Sequence, residues 1–554
     1  MDAEAMNLVL SLVASRELPR PPDAPVKEPE VACDARLIVS ADVGNRPLIS
    51  KHLFGLMLEH LGRCVYGGVC DEASLARSEV VSALRELQTP NLRWPGGCFA
   101  DGYHWQDGVG PREARPRRVN QHWGGGIEGN SFGTNEFLEL CEQIGCEPYI
   151  VGNVGSGTVR ELRDWHEYTT YPSGSSLADL RCAHGRAEPW AVRLWGIGNE
   201  PWGSWGGDMD VHTYASEYKR YACFLASAPG VPPLTRVASG ANGRDDAWTD
   251  GMMSMCKKPA AGGRVRFAME ALSVHLYCSV RREGITGREA TSAAQEAAYF
   301  TLLQKADGFR QALRAHLTVM DRHDPERLVA LYVDEWGVWY AEPPRPVAGA
   351  PVEPPQPPCT SALLEQACTL KDALVAALCL HAMIDSCERV QLANLAQAVN
   401  VLHAPLRTAN GELVRTPTFH ALSLLNRHMA CTRLDVQQPH ALYFNHGTSA
   451  VPRLSYAVSM ESTGTRDATT IHVSVVHVHP HAAVSLDFEL RGFGTSPKLQ
   501  QKRSMVLAGR MDAIDCVPVE LGAEGANMSE SGTHLRLALP PASLVVVTLT
   551  LSRG

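Results

Sequence analysis

From residue 52 to about 430 the chain alternates short apolar runs with longer stretches in which apolar residues recur at helical spacing. Eight runs read as strands: "LFGLMLEH" (53–60), "NLRWPGG" (91–97), "EPYIVGNV" (147–154), "RLWGIGNE" (193–200), "VASGAN" (237–242), "LSVHLY" (272–277), "LVALYVDEW" (328–336) and "VQLANLAQ" (390–397). Helical patterns lie between them at 74–88, 134–145, 211–227, 292–317 and 362–386. Eight strands interleaved with helices predict an α/β fold, a (β/α)8 TIM barrel over 52–430. After about 430 the period changes to two. Stretches such as "RLSYAVSMES", "TTIHVSVVHVH" and "HLRLALPPASLVVVTLTLS" alternate or run β-branched between turn residues. They predict a C-terminal antiparallel β-sandwich, jelly-roll-like, over 431–554. "ARLIVSAD" (35–42) reads as a strand within a segment, 35–51, that joins this sandwich, and residues 1–34 form an arm before it. Residues 341–358, "AEPPRPVAGAPVEPPQPP", lack any apolar period and read as a loop or semi-rigid flap inserted after the seventh strand.

The polar residues sharpen the barrel reading, because they collect at carboxyl-terminal strand ends. Glu59, the Gly96-Gly97-Cys98 turn, Asn153, Asn199 with Glu200, Asn242, His275 with Tyr277, Glu335 and Gln397 all fall there. Active sites of such barrels are built on that face from several strands. That strands merely end where polar residues begin accounts for one or two of these positions, less easily for eight.

Composition narrows the partners. The chain has 554 residues, 45% of them hydrophobic, and a formal net charge of −9. A mildly acidic protein has no electrostatic footprint for nucleic acid or for an anionic membrane, so a neutral substrate is expected. Sixteen cysteines occur without a compact framework or a C-x-x-C pair. They read as free thiols of a reducing, intracellular compartment, with export the minor alternative. The run "MNLVLSLVAS" (6–15) follows Asp2 and Glu4 where a signal peptide carries positive charge, and it reads as a docked helix. No stretch approaches the roughly 20 apolar residues of a membrane span.

Two carboxylates pose the chemical question. Glu200 and Glu335 each end an apolar run, on the fourth and seventh strands, which face each other across a barrel mouth. Glycoside hydrolysis needs such a pair, one protonated to release the leaving oxygen and one ionised. A gap of about 5–5.5 Å implies retention through a covalent intermediate, and about 6.5–9.5 Å implies inversion by water. Each glutamate has a plainer alternative, capping a helix or pairing with an arginine. Two other features are read as decoys. "GNVGSGT" (152–158) lacks the Lys-Ser/Thr of a phosphate loop and reads as a tight turn, and His477 and His479 sit on a strand expected to be solvated. No metal and no cofactor is expected.

The residues "GNE" (198–200) and "DEWG" (334–337) resemble the retaining glycosidases of the large (β/α)8 clan. With "FGLMLEHLGRCVYGG", "LRWPGGCFADGYHWQDGVGPREARP", "NQHWGG", "VHLY" and "ANLAQAVNVL", the chain resembles the α-L-arabinofuranosidases of glycoside hydrolase family 51 over roughly 35–430. That resemblance implies a retaining, exo-acting enzyme on arabinofuranosyl-containing oligosaccharides of arabinan or arabinoxylan type. It implies Glu200 as acid/base, Glu335 as nucleophile and Asn199 as a partner of the sugar 2-OH. Glu59, Cys98, Tyr277 and Gln397 would line the furanose pocket, with His275 on the same strand as Tyr277. Tyr277 would hydrogen-bond Glu335. Cys98 lacks a His–Asp/Asn arrangement and is expected to pack beneath the sugar. Of the tryptophans expected to crowd the mouth (Trp94, Trp105, Trp123, Trp202, Trp205, Trp336 and Trp339), Trp336 or Trp339 is expected to border the leaving group. The resemblance also implies a homo-oligomer, a hexamer. The alternatives are β-xylosidase or endoglucanase activity on the same site, or a non-catalytic carbohydrate-binding protein.

Overall fold

Eight parallel strands close into a barrel. The computed structural model describes residues 34–41, 46–71, 76–225, 233–259, 265–281, 292–341, 362–409, 411–461, 468–493, 498–522, 525–529 and 533–552. The arm 1–33, with its 6–15 run, and nearly all of the Pro-rich insertion lie outside the described residues. Strand β1 (Asp34–Ser40) precedes the barrel, whose strands are β2 (Gly55–Met57), β3 (Asn91–Trp94), β4 (Glu147–Gly152), β5 (Leu194–Ile197), β6 (Thr235–Asn242), β7 (Ala271–Arg281), β8 (Ala330–Ala341) and β9 (Val390–Leu395). Each barrel strand is followed by helix: α1 (Ser78–Glu86), α2 (Thr134–Ile144), α3 (Val159–Thr170) with α4 (Ser176–Ala183), α5 (Val211–Phe224), α6 (Asp246–Met255), α7 (Ser292–His323), α8 (Leu370–Asp385) and α9 (Pro417–Leu425). The α3, α4, α6 and α9 helices were not legible as periodic runs. In α3 aromatic and polar residues share the buried face, where Trp165, His166, Tyr168 and Thr169 all lie.

Local chemistry sets the helix starts. Thr158 Oγ1 accepts from the Glu161 N–H at the start of α3, and Glu136 reaches back to the Gly133 N–H at the start of α2. α2 ends on Gly145 in the left-handed region, φ +84°, a conformation glycine adopts without a Cβ clash. α8 is apolar nearly all round and buried from Leu370 to Ile384, because it has protein on both sides.

The carboxyl-terminal part is a sandwich of two sheets. One runs in the order Cys431–Arg433, Leu454–Glu461, Ala468–His477, Ser543–Ser552, Lys498–Ala508, Val519–Glu520. The other runs Asp435–Gln437, β1, Val484–Arg491, His534–Leu539, Ala526–Met528. Pairing is antiparallel with one departure from expectation: β1 lies parallel to Val484–Arg491, Leu37 opposite Phe488. The whole barrel is the crossover between these two strands, so no hairpin fixes their relative direction. Leu37, Phe488, Leu537 and Val547 share the sandwich core.

The sandwich docks through α7 and α8. Tyr299 donates to the Val478 carbonyl at 2.9 Å, and His381 and His428 both meet Ser474 Oγ, at 2.9 and 2.8 Å. Burial drives His381 down to about 3 and His428 well below the usual imidazole range, so both bind as neutral rings. His477 corrects the expectation of a solvated strand. It is fully buried, accepts from Arg453 Nε at 3.0 Å and meets the Pro540 carbonyl at 2.7 Å. Strand alternation puts His477 on the face of Val473 and Val475, and only the packed sandwich shows that this face is covered, since Val473 and Val475 lie in the core between the two sheets.

Candidate active site

The carboxyl-terminal ends of the barrel strands bring the expected residues together, and they arrive with a set of partners that periodicity does not reveal. Glu335 is buried on β8. Its Oε1 accepts from Arg93 Nη1 at 2.8 Å and its Oε2 from the Tyr277 hydroxyl at 3.0 Å. Glu200, just past β5, meets His275 Nδ1 through Oε1 at 2.7 Å and accepts from Trp205 Nε1 on Oε2 at 2.8 Å. His275 Nδ1 also lies 3.4 Å from Glu335 Oε2, and its Nε2 lies 3.3 Å from Asp334 Oδ1. One side-chain ligand atom from each of Glu200, His275 and Glu335 is within 4.8 Å of the other two. One oxygen of Glu200 and one of Glu335 thus share the same His275 nitrogen, at 2.7 and 3.4 Å.

Charge decides the protonation states. Burial alone would lower His275, but Glu335, Asp334 and Glu200 carry it up to about 10, so near neutrality it is an imidazolium between the two glutamates. Burial pushes Glu335 above the usual carboxylate range, with Glu200 and Asp334 adding to it, while His275 and Arg93 oppose. Asp334 would rise by burial, yet Arg93, His275 and the Tyr149 hydroxyl hold it below that range. Burial opposes the charge on Arg93, and Asp334 and Glu335 more than restore it.

A second layer fixes the first. Arg93 Nη2 donates to Asn199 Oδ1 at 2.7 Å, and Asn199 Nδ2 is buried without a protein partner. Glu200 has φ +44°, a left-handed conformation uncommon for a residue with a side chain. It is held there by its own N–H donating to Ser239 Oγ at 3.0 Å. Glu59 accepts from Trp123 Nε1 at 2.9 Å, from the Phe99 N–H at 3.2 Å and from Gln397 Nε2 at 2.9 Å. Burial and the nearby Glu335 lift it to about 7 against those three donors. Gly96 and Gly97 are needed for approach: a Cβ would sit 2.3 Å from Glu59 Cγ at the first and 2.6 Å from Glu335 Oε1 at the second.

Cys98 is half-buried at this turn, and burial with Glu200 and Glu59 keeps its thiol protonated, far from thiolate chemistry. The tryptophans divide. Trp94, Trp105 and Trp336 are core rather than mouth, each about 1% exposed or less, with Trp94 stacked on Phe137 and Trp105 on Trp165. Trp123 and Trp205 bind the carboxylates, Trp202 packs edge-on against Trp205, and Trp339 meets Tyr277 at 5.2 Å between ring centroids. Asn153 is turned away from the carboxylates, bonded to Ser156 and Gly157 within the glycine-rich turn.

The sequence reading did not single out Arg93, Asp101, or the specific bonds of Trp123 and Trp205. Arg93 had one signal, a charged residue inside the apolar run "NLRW", since a guanidinium buried in a strand requires anionic partners.

Comparison with known proteins gives a consistent result. Residues 83–279 match the family model described as Alpha-L-arabinofuranosidase 1 domain, and 334–543 the Alpha-L-arabinofuranosidase C-terminal domain. The chain is 39% identical over 463 residues to the intracellular exo-alpha-L-arabinofuranosidase of Bacteroides ovatus, covering 82% of this chain and 84% of that protein. It is 30% identical over 462 residues to the intracellular exo-alpha-(1->5)-L-arabinofuranosidase of Halalkalibacterium halodurans, 80% of this chain and 85% of that one. The solved GH51 arabinofuranosidase of Xanthomonas axonopodis pv. citri superposes with a TM-score of 0.81 at 34% identity, covering 93% of this chain and 99% of that one.

Proposed function

The chain belongs to the glycoside hydrolase family 51 α-L-arabinofuranosidases, and from that premise we propose that Glu200 and Glu335 carry out a retaining double displacement. Its activity is that of an exo-α-L-arabinofuranosidase, a hydrolase of terminal arabinofuranosyl residues. The observation that supports the mechanism is the glutamate pair, one oxygen of each within 4.8 Å of the other beside His275, an approach that fits the short gap of retaining enzymes and leaves no room for a water between them.

In the first step Glu335 attacks the anomeric carbon, the C–O bond to the leaving group breaks, and Glu200 gives its proton to the departing oxygen. In the second Glu200 takes a proton from water, whose oxygen displaces Glu335 and releases arabinose. Arg93 and Tyr277 hold the two oxygens of Glu335 so that one lone pair is aimed and the ionised form is favoured. Asn199 Nδ2, the donor without a protein partner, serves the sugar 2-OH, a bond that strengthens as the oxocarbenium-like transition state forms. Glu59 and Gln397, already bonded to each other, present a rigid acceptor and donor to the remaining hydroxyls.

The natural substrates proposed are arabinan or arabinoxylan oligosaccharides. Work inside the cell fits the fourteen described cysteines, all free. Among the described residues no helix is long and apolar enough to cross a membrane. Followed by NMR, hydrolysis of 4-nitrophenyl α-L-arabinofuranoside is expected to release α-L-arabinofuranose first. The β-anomer as first product overturns the double displacement. A homo-oligomer, hexameric by the family resemblance, is also proposed. The stretch carrying Ile514, Val517 and Val519, each 55–56% exposed, supplies an apolar contact surface. Light scattering that gives the mass of a single chain at micromolar concentration overturns the assembly.

A further inference from the structure

We propose that Asp101 is a positioning residue for the acid/base end of the site, acting through the backbone of Asn199; the inference rests on the roles proposed above for Asn199 and Glu200. Asp101 lies on the short 3-10 turn Cys98–Gly102 that follows β3, and it is 4% exposed. Its carboxylate touches neither glutamate by hydrogen bond. Instead Oδ2 accepts from the Asn199 N–H at 2.8 Å, and Oδ1 accepts from the Val154 and Gly155 N–H groups at 2.7 and 2.9 Å. Its own carbonyl accepts from Ser156 Oγ at 2.8 Å. One side chain thus ties together the loops after β3, β4 and β5, three consecutive strands of the barrel.

The glycine-rich turn that sequence reading set aside as a decoy is the receiver. A Cβ at Gly155 would sit 2.9 Å from Asp101 Cβ, so only glycine lets the turn come close enough for its N–H groups to reach the carboxylate. On the other side, Asn199 and Glu200 have consecutive N–H groups held by Asp101 and by Ser239 Oγ. These two bonds set the peptide planes from which the Asn199 amide and the Glu200 carboxyl project, the latter from its left-handed conformation. Arg93 fixes Asn199 Oδ1 from a third direction. With the side-chain oxygen and backbone both held, Nδ2 has one place to go.

The chemistry of the site demands a carboxylate, not an isostere. All three partners are donors aimed at two different oxygens. An asparagine at 101 has one acceptor oxygen. Whichever way its amide lies, an NH2 group faces either the Asn199 N–H or the pair from 154 and 155. Donor then meets donor in a buried place, and the 198–200 backbone has to shift. A displacement of the order of 1 Å at a catalytic group costs about 100-fold in rate.

The test is a cycle with Asp101→Asn and Asn199→Ala, measured on 4-nitrophenyl α-L-arabinofuranoside. Asp101→Asn is expected to lower kcat about 30- to 100-fold with KM within about threefold. In the Asn199→Ala background the same change is expected to cost clearly less than in the wild type, because one of the two groups it positions is gone while Glu200 is still displaced. Asp101→Ala leaves room for a water to accept the orphaned N–H groups and is expected to lose less than Asp101→Asn, although its side chain is shorter. If Asp101→Asn unfolds below the assay temperature, Asp101→Ala is carried through the same cycle. A kcat within threefold of wild type, or an equal loss in both backgrounds, overturns the inference. Retention of activity in Glu200→Ala and Glu335→Ala instead overturns the assignment beneath it, so the two failures are told apart.

Discussion

Glu335→Ala is expected to lower kcat on 4-nitrophenyl α-L-arabinofuranoside by about 10⁴- to 10⁶-fold, the scale on which removal of a covalent nucleophile acts. The chain should stay folded. The substitution deletes one buried carboxylate, but Arg93 and His275 keep Asp334 at 3.4 and 3.3 Å as their remaining counter-charge. The space vacated beside Arg93 and Tyr277 is shaped and charged for an anion. Azide should enter it and attack the anomeric carbon, forming a C–N bond as the nitrophenolate leaves. The product expected is the β-L-arabinofuranosyl azide, inverted because only one displacement has occurred. Rate rescue with that product fixes Glu335 as the nucleophile. Near-normal turnover without azide would move the role to another carboxylate of the cluster, Glu59 or Asp334.

Arg93→Met is expected to damage both rate and stability. The guanidinium reaches Glu335, Asn199 and Asp334 through three different nitrogens, and its side chain is 1% exposed. Methionine matches its bulk but leaves Asp334 and Glu335 buried with His275 as the nearest cation, and breaking a buried pair in this way costs about 3–5 kcal/mol. Losing Arg93 also removes one of the two charges that oppose the upward drift of Glu335, so more of the nucleophile is protonated at a given pH. A fall in kcat/KM of about 10³-fold is expected, with a lower midpoint in urea and an acid limb of the rate profile moved to higher pH. Arg93→Lys should recover little, since a single ammonium cannot reach Glu335 and Asn199 from two separate nitrogens while staying beside Asp334. Full activity in Arg93→Lys would show that charge alone suffices and that the fork is incidental.

The two predictions differ in how far they were visible beforehand. Glu335 announced itself as a carboxylate ending an apolar run, opposite a second one at Glu200. Arg93 stood in the sequence as one charged residue in a four-residue strand, and nothing in its neighbourhood along the chain named Glu335, 242 positions away, as the partner. Asp101 was quoted inside a motif without a role of its own, because its three partners lie in two other loops. The tryptophans show the same limit from the other side. Trp94 and Trp336 sit on barrel strands yet pack outward into the core, whereas Trp123 and Trp205, on loops, reach the carboxylates.

Alternation and apolar runs report which way a residue faces within its own element, and a barrel of eight such elements can close in few ways. That is why the strands, the polar strand ends and the glutamate pair were determined by the sequence alone. Contacts between loops, the parallel seating of β1 against a strand some 440 residues later, and the burial of His477 depend on which surfaces meet after closure. Hydrogen bonds and ion pairs act over about 3–4 Å and carry no mark along the chain of where their partner lies. Only the tertiary structure decided them.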